Sequence, residues 1–407
     1  MKPQEYFQVV TPQRAREILS RFAFREGEEI STLNALDRFL LKDIYSPEDI
    51  PPYSRSTVDG YAVRSKDTSG ASASQPSYLK LAGSIEMGQV PSQSLGSREA
   101  FQIHTGGMLP QGADAVVMFE QVRLQDKNIE LSRPLSPWEN VMKAGEDYLK
   151  GDLIAKKGQK LRPQDIGAIA GAGISVIPVL KRPIVGLIST GDEIVPLGQK
   201  PSEGQIRSIN HYALGTGITQ AGAILEDLGH IPDSLNSFKE KVRIALNCCD
   251  YIIISGGSSV GTRDLTLKAL ESFYPCKLLF HGIAASPGKP TLAAVIGSSR
   301  LVLGLPGHPA SAYIVFIAFI RPLLQGHKEI EWFPSVRAVL DRDVPSTPGR
   351  EEYVRVILEE KQDGHHAIPL LGKSGGIKTL ANAQGLIRIG MEKEGLEKGE
   401  LVDVLLF

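Results

Sequence analysis

The strongest constraint on the fold is an alternation of strand-like and helix-like segments between residues 179 and about 327. Short runs rich in apolar and β-branched residues predict strands at Ile184–Ser189, Tyr251–Ser255, Lys277–Ile283, Thr291–Ile296 and Leu301–Leu305. Helices are predicted at His211–Leu228, Phe238–Asn247, Asp264–Phe273 and Pro309–Leu324. Such an alternation is typical of a doubly wound, mostly parallel sheet with helices on both faces.

In the remaining sequence the residue pattern changes three times between helix-like, mixed and strand-like segments, which predicts a multidomain α/β plus β fold. Residues 1–50 look helical, and the mixed segment 143–178 is expected to pack with them as one discontinuous domain. Residues 51–142 consist of short β-like runs broken by Pro, Gly and Ser, which predicts a β-rich insert domain. Residues 179–330 form the α/β domain, and residues 331–407 again look β-rich, so a small barrel or sandwich is expected there.

Composition limits the classes of function. The 407 residues are 42% hydrophobic and carry 45 Lys+Arg against 46 Asp+Glu, a net charge of -1. An overall field that would attract nucleic acid is therefore excluded, and an anionic ligand must be held by local loops. The three cysteines form no metal-ligand or disulfide pattern, and the most apolar window, Ala310–Ile320, is too short to span a bilayer. We expect a cytoplasmic protein without nucleic-acid or membrane partners.

The loop after the strand Tyr251–Ser255 is the first candidate binding site. It reads G-G-S-S-V-G-T-R-D and contributes Gly256, Gly257, Ser258, Ser259, Gly261 and Asp264. Ligands of open α/β sheets bind at the carboxyl ends of the strands. Glycines and serines let backbone N–H groups turn toward an anion, and the Asp264 carboxylate could hold a cation. The loop predicts a phosphate-bearing ligand with a divalent metal; the alternative is a turn in which Asp264 caps the next helix.

Two further loops follow predicted strands of the same sheet. S-T-G-D-E (189–193) places the Asp192 and Glu193 carboxylates at the sheet edge, where such a pair holds Mg²⁺ or positions a water. The alternative for this loop is a polar turn with a helix N-cap. G-L-P-G-H-P-A-S-A (304–312) is stiffened by Pro306 and Pro309, so its backbone donors are fixed in place.

A lysine and a histidine lie near these loops. P-G-K-P presents Lys289 in a stiff loop, but G-x-x-x-x-G-K-[ST] is absent, which excludes a Walker-type NTPase. His308 by itself favours only a solvent-facing loop histidine.

Several motifs occur together in the order of a known family. They are S-T-V-D-G-Y-A-V-R, T-G-G-M-L-P-Q-G-A-D-A-V-V-M, G-E-D, S-T-G-D-E, S-G-G-S-S-V-G-x-x-D, P-G-K-P and G-L-P-G-H-P-A-S-A. On these motifs the chain resembles the molybdopterin molybdenumtransferases (the MoeA family) and the E domain of gephyrin. The resemblance covers nearly all of the chain.

The resemblance implies a fold, a reaction and partners. It implies an elongated homodimer in which residues 1–50 and 143–178 form a dimerisation domain and residues 331–407 a β barrel. It implies a transferase that inserts molybdate into adenylylated molybdopterin with Mg²⁺ and releases AMP and molybdenum cofactor. Tungstate is the alternative oxyanion, which the departures from the family pattern described below suggest. An adenylyltransferase would act upstream, and molybdoenzymes would receive the product.

The resemblance also assigns roles to residues. Matched by motif, the catalytic residues are Asp59, Thr105, Asp147, Glu193, Asp233, Asp264 and Lys289, with Glu193 and Asp264 as metal ligands. The substrate-binding residues are Gly256, Gly257, Ser258, Ser259, Gly261, Pro287, Gly288, Pro306, Gly307, Pro309, Ser311 and Ser374, the last reaching the partner's cleft.

The chain departs from the family pattern at several positions. Ser286 stands where a lysine is common, Met142-Lys143-Ala144 where arginines are common, and His308 in place of an asparagine. Leu265 replaces a tyrosine, and the segment I-R-S-I-N-H lacks an acidic residue. Two lost positive charges would weaken anion binding by about 1–3 kcal/mol each if buried and charge-assisted.

Two alternatives follow. One is a catalytically impaired paralogue that binds the pterin nucleotide or a partner protein as a scaffold. The other is a pyridine-nucleotide amidohydrolase of the competence-protein type, which is disfavoured because such proteins lack the β insert and its D-G-Y-A motif.

Overall fold

The computed structural model describes residues 9–256, 262–326, 335–373 and 375–407, with only the backbone for 262–264. By its contacts the chain divides into two compact units, one formed by Glu28–Val179 and the other by Met1–Gly27 with Leu180–Phe407. The predicted division into four domains remains a prediction. Helix α1 (Pro12–Ser20) belongs to the second unit, and the Thr11 hydroxyl caps it by accepting a hydrogen bond from Arg14 N at 3.2 Å.

The unit Glu28–Val179 is mostly β. Its elements are β1 (Gly27–Ser31), β2 (Ile44–Tyr45), β3 (Arg55–Ser56), β4 (Gly60–Val63), β5 (Ser77–Ile85), β6 (Glu99–Ile103), β7 (Ala115–Met118), β8 (Val122–Gln125), β9 (Asn128–Leu131), β10 (Val141–Met142), β11 (Leu153–Ala155), helix α2 (Pro163–Gly171) and β12 (Val176–Leu180). A six-stranded sheet has the order β7-β4-β6-β5-β9-β8. Every pair in it is antiparallel except β5 with β6.

A separate core in this unit joins segments that are distant in sequence. Ala35, Leu40 and Ile44 pack with Leu161 and Ile169 in one hydrophobic cluster. Burial of these side chains stabilises the association of the two segments by about 25 cal/mol for each Å² of apolar surface removed from water. The segments that flank the six-stranded sheet in sequence are thereby held together.

The α/β part of the second unit follows. Its elements are β13 (Ile184–Thr190), β14 (Ile194–Val195), β15 (Ile206–Arg207), α3 (Ile209–Gln220), β16 (Ile224–Ile231), α4 (Leu235–Cys248), β17 (Tyr251–Ser255), α5 (Thr262–Glu271), β18 (Cys276–His281), β19 (Ala285–Ser286), β20 (Leu292–Ile296), β21 (Arg300–Leu305), α6 (Pro309–Val315), a π-helical turn (Phe316–Ile320) and α7 (Arg321–Leu324). The sheet order is β16-β13-β17-β21-β20-β18. The first four strands are parallel, and β20 and β18 are antiparallel to their neighbours.

One predicted helix in this region is wrong in length. The helix expected at His211–Leu228 ends at Gln220, and Ile224–Ile231 is the strand β16, which pairs with β13. Gly222, with φ of +89°, follows the helix and lets the chain turn out of it. The strand β16 lies at the edge of the sheet, and only Leu228 and Ile231 in it are buried. Its apolar residues therefore do not alternate with polar ones and instead have the spacing of an amphipathic helix, which explains the wrong prediction.

The C-terminal part of this unit is a closed barrel. Its elements are β22 (Ser335–Leu340), β23 (Val344–Pro345), β24 (Glu351–Lys361), β25 (Gly364–Pro369), α8 (Lys378–Ala381), β26 (Gly385–Ile389), β27 (Gly395–Leu396) and β28 (Leu401–Leu406). The order β24-β25-β22-β28-β26 closes because β26 also pairs with β24. The short strand β19 pairs with β24 and joins the barrel to the α/β part. The predicted multidomain α/β plus β fold, with its C-terminal barrel, is confirmed.

The longest apolar segment of the α/β part is buried within the protein. Residues Phe316–Ile320 between α6 and α7 are all buried. Within the described ranges, no helix has both the length and the apolar character that crossing a bilayer requires.

Candidate functional site

A cleft opens at the carboxyl ends of the parallel strands β13, β17 and β21. We call it the strand-end cleft; its volume is about 330 Å³. Its lining includes Ser189, Thr190, Gly191, Glu193, Arg207, Asn210, Asp233, Ser255, Gly256, Gly307, His308 and Pro309. It therefore brings together three of the loops that the sequence analysis singled out.

Two glycines shape this cleft, because both have a positive φ that disfavours a side chain and backbone atoms leave no room for one at Gly256. Gly256 has φ of +110°, and a Cβ there would lie 2.4 Å from Thr190 O. Gly191 has φ of +140°, and a Cβ there would lie 2.8 Å from Glu193 Oε2. The first glycine lets the end of β17 approach the end of β13, and the second leaves room for the Glu193 carboxylate.

Polar atoms in this cleft lack partners within the protein. Among the described residues, Ser255 Oγ, Asn210 Oδ1 and Asp233 Oδ1 are buried oxygen atoms without a hydrogen bond. Asn210 is fixed in place, since its Nδ2 donates to Gly307 O at 2.9 Å. Because nearly all buried polar atoms in native proteins are hydrogen-bonded, such a group of unpaired oxygens at the mouth of a sheet indicates a ligand site.

Carboxylates make one side of this cleft acidic. Burial raises the pKa of Asp233, and the charges of Asp192 and Glu193 add to the rise, while the Thr190 hydroxyl acts in the opposite direction. Asp192 Oδ1 in turn accepts a hydrogen bond from Asp233 N at 3.0 Å. Burial also lowers the pKa of the neighbouring His230. The carboxylates and unpaired oxygens are hard ligands of the type that Mg²⁺ prefers.

The metal site at the strand-end cleft stays a prediction. In the part of the chain that the structure describes, no three His, Cys, Asp or Glu side chains are arranged to hold a metal ion. The side chain of Asp264, one of the two predicted metal ligands, lies outside the described residues. The described oxygens fit a cation without defining a complete ligand set.

A second cleft, the barrel cleft, lies beside the first. It has a volume of about 1040 Å³, and His308 lines both clefts. It is lined by residues 283–290, Pro306 and Ser311 of the α/β part and by barrel residues 344–345, 348–350, 352–355 and 370–372. Lys289, Arg350 and Arg355 give this cleft its positive charge, and Glu352 is its acidic residue among the lining side chains.

Arg355 is held rigidly at the barrel wall. Its Nη1 donates to Thr379 Oγ1 at 2.8 Å, and its Nη2 donates to Gly372 O at 2.9 Å. Burial lowers the pKa of this guanidinium, although an arginine keeps its proton under all ordinary conditions. A fixed, buried cation at a cleft wall favours an anionic ligand.

The predicted site residues divide between the two clefts. Glu193, Asp233, Gly256, Gly307 and Pro309 line the strand-end cleft. The barrel cleft is lined by Pro287, Gly288, Lys289, Pro306 and Ser311. Gly257, Ser258, Ser259, Gly261 and Ser374 lie outside the described residues, as does the side chain of Asp264.

Three predicted catalytic residues belong to the unit Glu28–Val179. Asp59 Oδ1 accepts hydrogen bonds from Thr105 N at 2.7 Å and Thr105 Oγ1 at 3.1 Å, and His104 Nδ1 lies 3.4 Å away. The Thr105 backbone bond is the main cause that lowers the pKa of Asp59. Asp147 lies in a turn, where its N–H donates to Ile50 O at 3.0 Å. Asp59 and Thr105 thus form one pair with an ionised, exposed carboxylate.

Sequence reasoning missed several lining residues. Ser255 and Asn210 could have been found, because polar residues at the end of a buried strand and the start of a helix mark a sheet mouth. Arg350, Glu352 and Arg355 could not have been found this way, since only closure of the barrel and its pairing with β19 bring them to the cleft. Among the positions that depart from the family pattern, Arg207 lines the strand-end cleft, Ser286 lines the barrel cleft and His308 lines both.

Comparison with protein families covers nearly the whole chain. Residues 10–173 match the MoeA N-terminal region (domain I and II), and residues 186–326 match the probable molybdopterin binding domain. Residues 337–407 match the MoeA C-terminal region (domain IV). These are the three regions in which the motifs and clefts described above occur.

Individual relatives agree with these matches. The chain is 33% identical over 388 residues to the molybdopterin molybdenumtransferase of Bacillus subtilis (strain 168), covering 94% of this chain and 90% of the relative. It is 31% identical over 385 residues to the Haemophilus influenzae protein of the same name, covering 93% of each. A crystal structure of a molybdopterin biosynthesis MoeA protein from Pyrococcus horikoshii aligns with a TM-score of 0.80 and 38% identity, covering 98% of this chain and 99% of that chain.

Proposed function

The chain belongs to the MoeA family of molybdopterin molybdenumtransferases, and on this premise we propose that it inserts molybdate into adenylylated molybdopterin and releases AMP. It is a transferase of molybdenum cofactor biosynthesis. The observation that carries the proposal is the pair of adjoining clefts that share His308. One is rich in carboxylate and unpaired oxygen atoms, and the other is cationic.

The two clefts suit the two substrates. In the strand-end cleft, the glycine-bounded loops and the Ser255 and Asn210 side chains offer polar contacts to a phosphate-bearing pterin nucleotide. In the barrel cleft, Lys289 and Arg355 offer positive charge to a dianionic tetrahedral oxyanion. Because the clefts share His308, molybdate bound in one cleft would lie next to the nucleotide bound in the other.

Release of AMP needs charge stabilisation. When an oxygen atom of molybdate or water bonds to the adenylyl phosphorus, the bond to the pterin phosphate breaks and that phosphate gains negative charge. Lys289 and the fixed Arg355 guanidinium offset this charge without reorganising, since Arg355 is already hydrogen-bonded to the barrel. Positioning and electrostatics thus account for the role of these side chains.

A divalent cation is part of the proposal. We propose that Glu193, Asp233 and Asp264 hold Mg²⁺ at the strand-end cleft, since the unpaired Asp233 oxygen and the Glu193 carboxylate are hard donors. When bound, Mg²⁺ supplies positive charge to the phosphate oxygens.

The finer expectations complete the proposal. We propose a cytoplasmic homodimer that receives its substrate from an adenylyltransferase and passes its product to molybdoenzymes. Tungstate, which has the same charge and shape, is an alternative substrate. The scaffold alternative is not favoured, because relatives that align over nine-tenths of the chain carry the transferase name.

The test is AMP release by the pure protein. It is incubated with adenylylated molybdopterin, Mg²⁺ and either molybdate or tungstate, and AMP is followed by chromatography. The proposal predicts AMP release that depends on the oxyanion. Measurable binding of the pterin nucleotide without AMP release, with either oxyanion, would overturn it.

A further inference from the structure

The barrel cleft contains a second arginine whose position suits an anion. We propose that Arg350 is an oxyanion-binding residue of this cleft, held at its wall by Glu352, and that it supplies the positive charge that Ser286 lacks. The inference rests on the proposed function only in taking molybdate as the oxyanion. Its first test is a binding measurement that needs neither nucleotide nor turnover.

Glu352 connects Arg350 with Ser286. The pairing of β19 with β24 places Ser286 opposite Glu352, and Ser286 Oγ lies 3.5 Å from Glu352 Oε1. Glu352 Oε2 accepts a hydrogen bond from Ser346 Oγ at 2.8 Å and lies 3.6 Å from Arg350 Nη2. The glutamate is mostly covered, with 22% of its side chain exposed, so it is a fixed anchor on this wall.

Arg350 keeps donors for a ligand. It lines the cleft with 44% of its side chain exposed, and its Nη2 makes a long hydrogen bond of 3.4 Å to Thr347 Oγ1. The contact to Glu352 is an ion pair beyond hydrogen-bond distance. Its other N–H groups make no hydrogen bond to the residues that the structure describes. A guanidinium with free donors matches a tetrahedral oxyanion through two parallel bonds.

The other two cations of the cleft leave a role for Arg350. Both Nη atoms of Arg355 already donate to the barrel, at Thr379 and Gly372. Lys289 is an exposed side chain from the α/β part of the lining and acts as a compact charge. Arg350 is therefore the one of the three lining cations that combines exposure to the cleft with a planar set of donors. Glu352 offsets part of the local charge and fixes where the guanidinium lies.

The experiment is titration of the full-length protein with molybdate by isothermal calorimetry. We expect Arg350→Gln to weaken binding by about fivefold or more, because one charge-assisted contact is lost. Arg337→Gln is the matched control: this exposed arginine lies on the same barrel, 3.7 Å from Asp403, and does not line the cleft. If Arg350→Gln binds molybdate as tightly as Arg337→Gln, the inference is wrong.

A second variant tests where the charge acts. In Ser286→Lys/Arg350→Gln, the new lysine stands at the position paired with Glu352 and returns a positive charge beside that glutamate. We expect it to restore most of the molybdate affinity that Arg350→Gln loses. A double variant that binds no better than Arg350→Gln would overturn the claim that Arg350 replaces a charge absent at position 286. Melting temperatures of all variants verify that each is folded.

The kinetic readout separates this inference from the proposed function. In the AMP-release assay, we expect Arg350→Gln to raise the KM for molybdate while kcat at saturating molybdate is retained. Wild-type protein that binds molybdate through Arg350 but releases no AMP contradicts the proposed function alone. Normal AMP release with an unchanged KM in Arg350→Gln contradicts this inference alone.

Discussion

At the residue scale, the clustered carboxylates on the acidic side of the strand-end cleft destabilise the native state. Asp233 is partly buried beside Asp192 and Glu193, and its pKa is raised by burial and by their charges. Ionised carboxylates held close together destabilise the native state unless a cation neutralises them. Such a cluster is expected at a functional site, where the residue types serve ligand binding rather than stability.

Replacing Asp233 should therefore stabilise the protein at neutral pH. Because the pKa of Asp233 is higher in the native than in the unfolded state, the native state loses stability as pH rises through the interval between the two values. Asp233→Asn removes that loss, so we expect a higher Tm than wild type at pH 7 without added metal. The gain disappears below the ordinary carboxyl pKa of about 3.9, where both states are protonated.

Thermal melting between pH 3 and pH 8 tests this sign. Asp363 is the contrasting control, since its side-chain bond to His366 lowers its pKa. For Asp363→Asn we expect the opposite result, a Tm at pH 7 that is unchanged or lower. An Asp233→Asn variant that melts below wild type at pH 7 would refute the account of an electrostatically strained cluster.

Glu193 is the residue whose loss should affect AMP release most. Glu193→Gln keeps the shape of the side chain but removes its charge, and we expect AMP release to fall by about 10²-fold or more. The same direction is expected for Asp264→Ala. Glu203→Gln, an exposed glutamate outside the clefts, is the control and should retain activity. Wild-type rates in both Glu193→Gln and Asp264→Ala would exclude their proposed metal role.

At the element scale, the end of β17 was predictable from sequence. Tyr251–Ser255 is an uninterrupted apolar run with a glycine after it, and the strand has the predicted bounds with all five residues buried. Its glycine is required by geometry, since a Cβ at position 256 would overlap Thr190 O. The strand β16 was not predictable in the same way, because its apolar residues have the spacing of an amphipathic helix.

Gly256→Ala tests the close approach of β13 and β17. The variant introduces a Cβ 2.4 Å from a backbone oxygen and an unfavourable φ, so we expect a loss of more than about 2 kcal/mol in the free energy of unfolding. Gly204→Ala has a similar positive φ but no heavy atom within 4 Å of its Cβ, and should lose about 1 kcal/mol. Denaturant unfolding compares the two. Equal losses in the free energy of unfolding would mean that the ends of β13 and β17 move apart without destabilising the protein.

At the scale of the whole molecule, closure of the barrel determines what the site contains. The motifs Glu193, Lys289 and Pro306 could be predicted, since each lies in a loop with a recognisable composition. Arg355 and Glu352 could not, because they lie in an ordinary-looking strand and reach the cleft only through the register of β24 with β19. The residues around these positions do not indicate that β24 pairs with β19.

We propose that the homodimer contact includes an exposed apolar surface on the unit Glu28–Val179. Leu33 is 83% exposed and Val176 51% exposed, and the hydrogen bond from Thr32 N to Ser175 O makes their segments neighbours. Light scattering should give twice the chain mass of 44.1 kDa. We expect Leu33→Glu to lower the measured mass toward the monomer, because it places a charge in an apolar contact.

The matched control for the dimer is Leu124→Glu. Leu124 is 57% exposed on the sheet of the same unit, and we expect its substitution to leave the mass unchanged. A wild-type monomer at micromolar concentration would contradict the proposed dimer. It would also leave Ser374 without a route to a partner's cleft.

The central claim is that the two clefts act together in one transfer reaction. A single-turnover measurement tests it most directly, with the protein in excess over adenylylated molybdopterin, and with AMP and pterin-bound molybdenum quantified in the same samples. The account predicts equimolar AMP and pterin-bound molybdenum at every time point. AMP that accumulates while the pterin gains no molybdenum would show a phosphohydrolase and contradict the account.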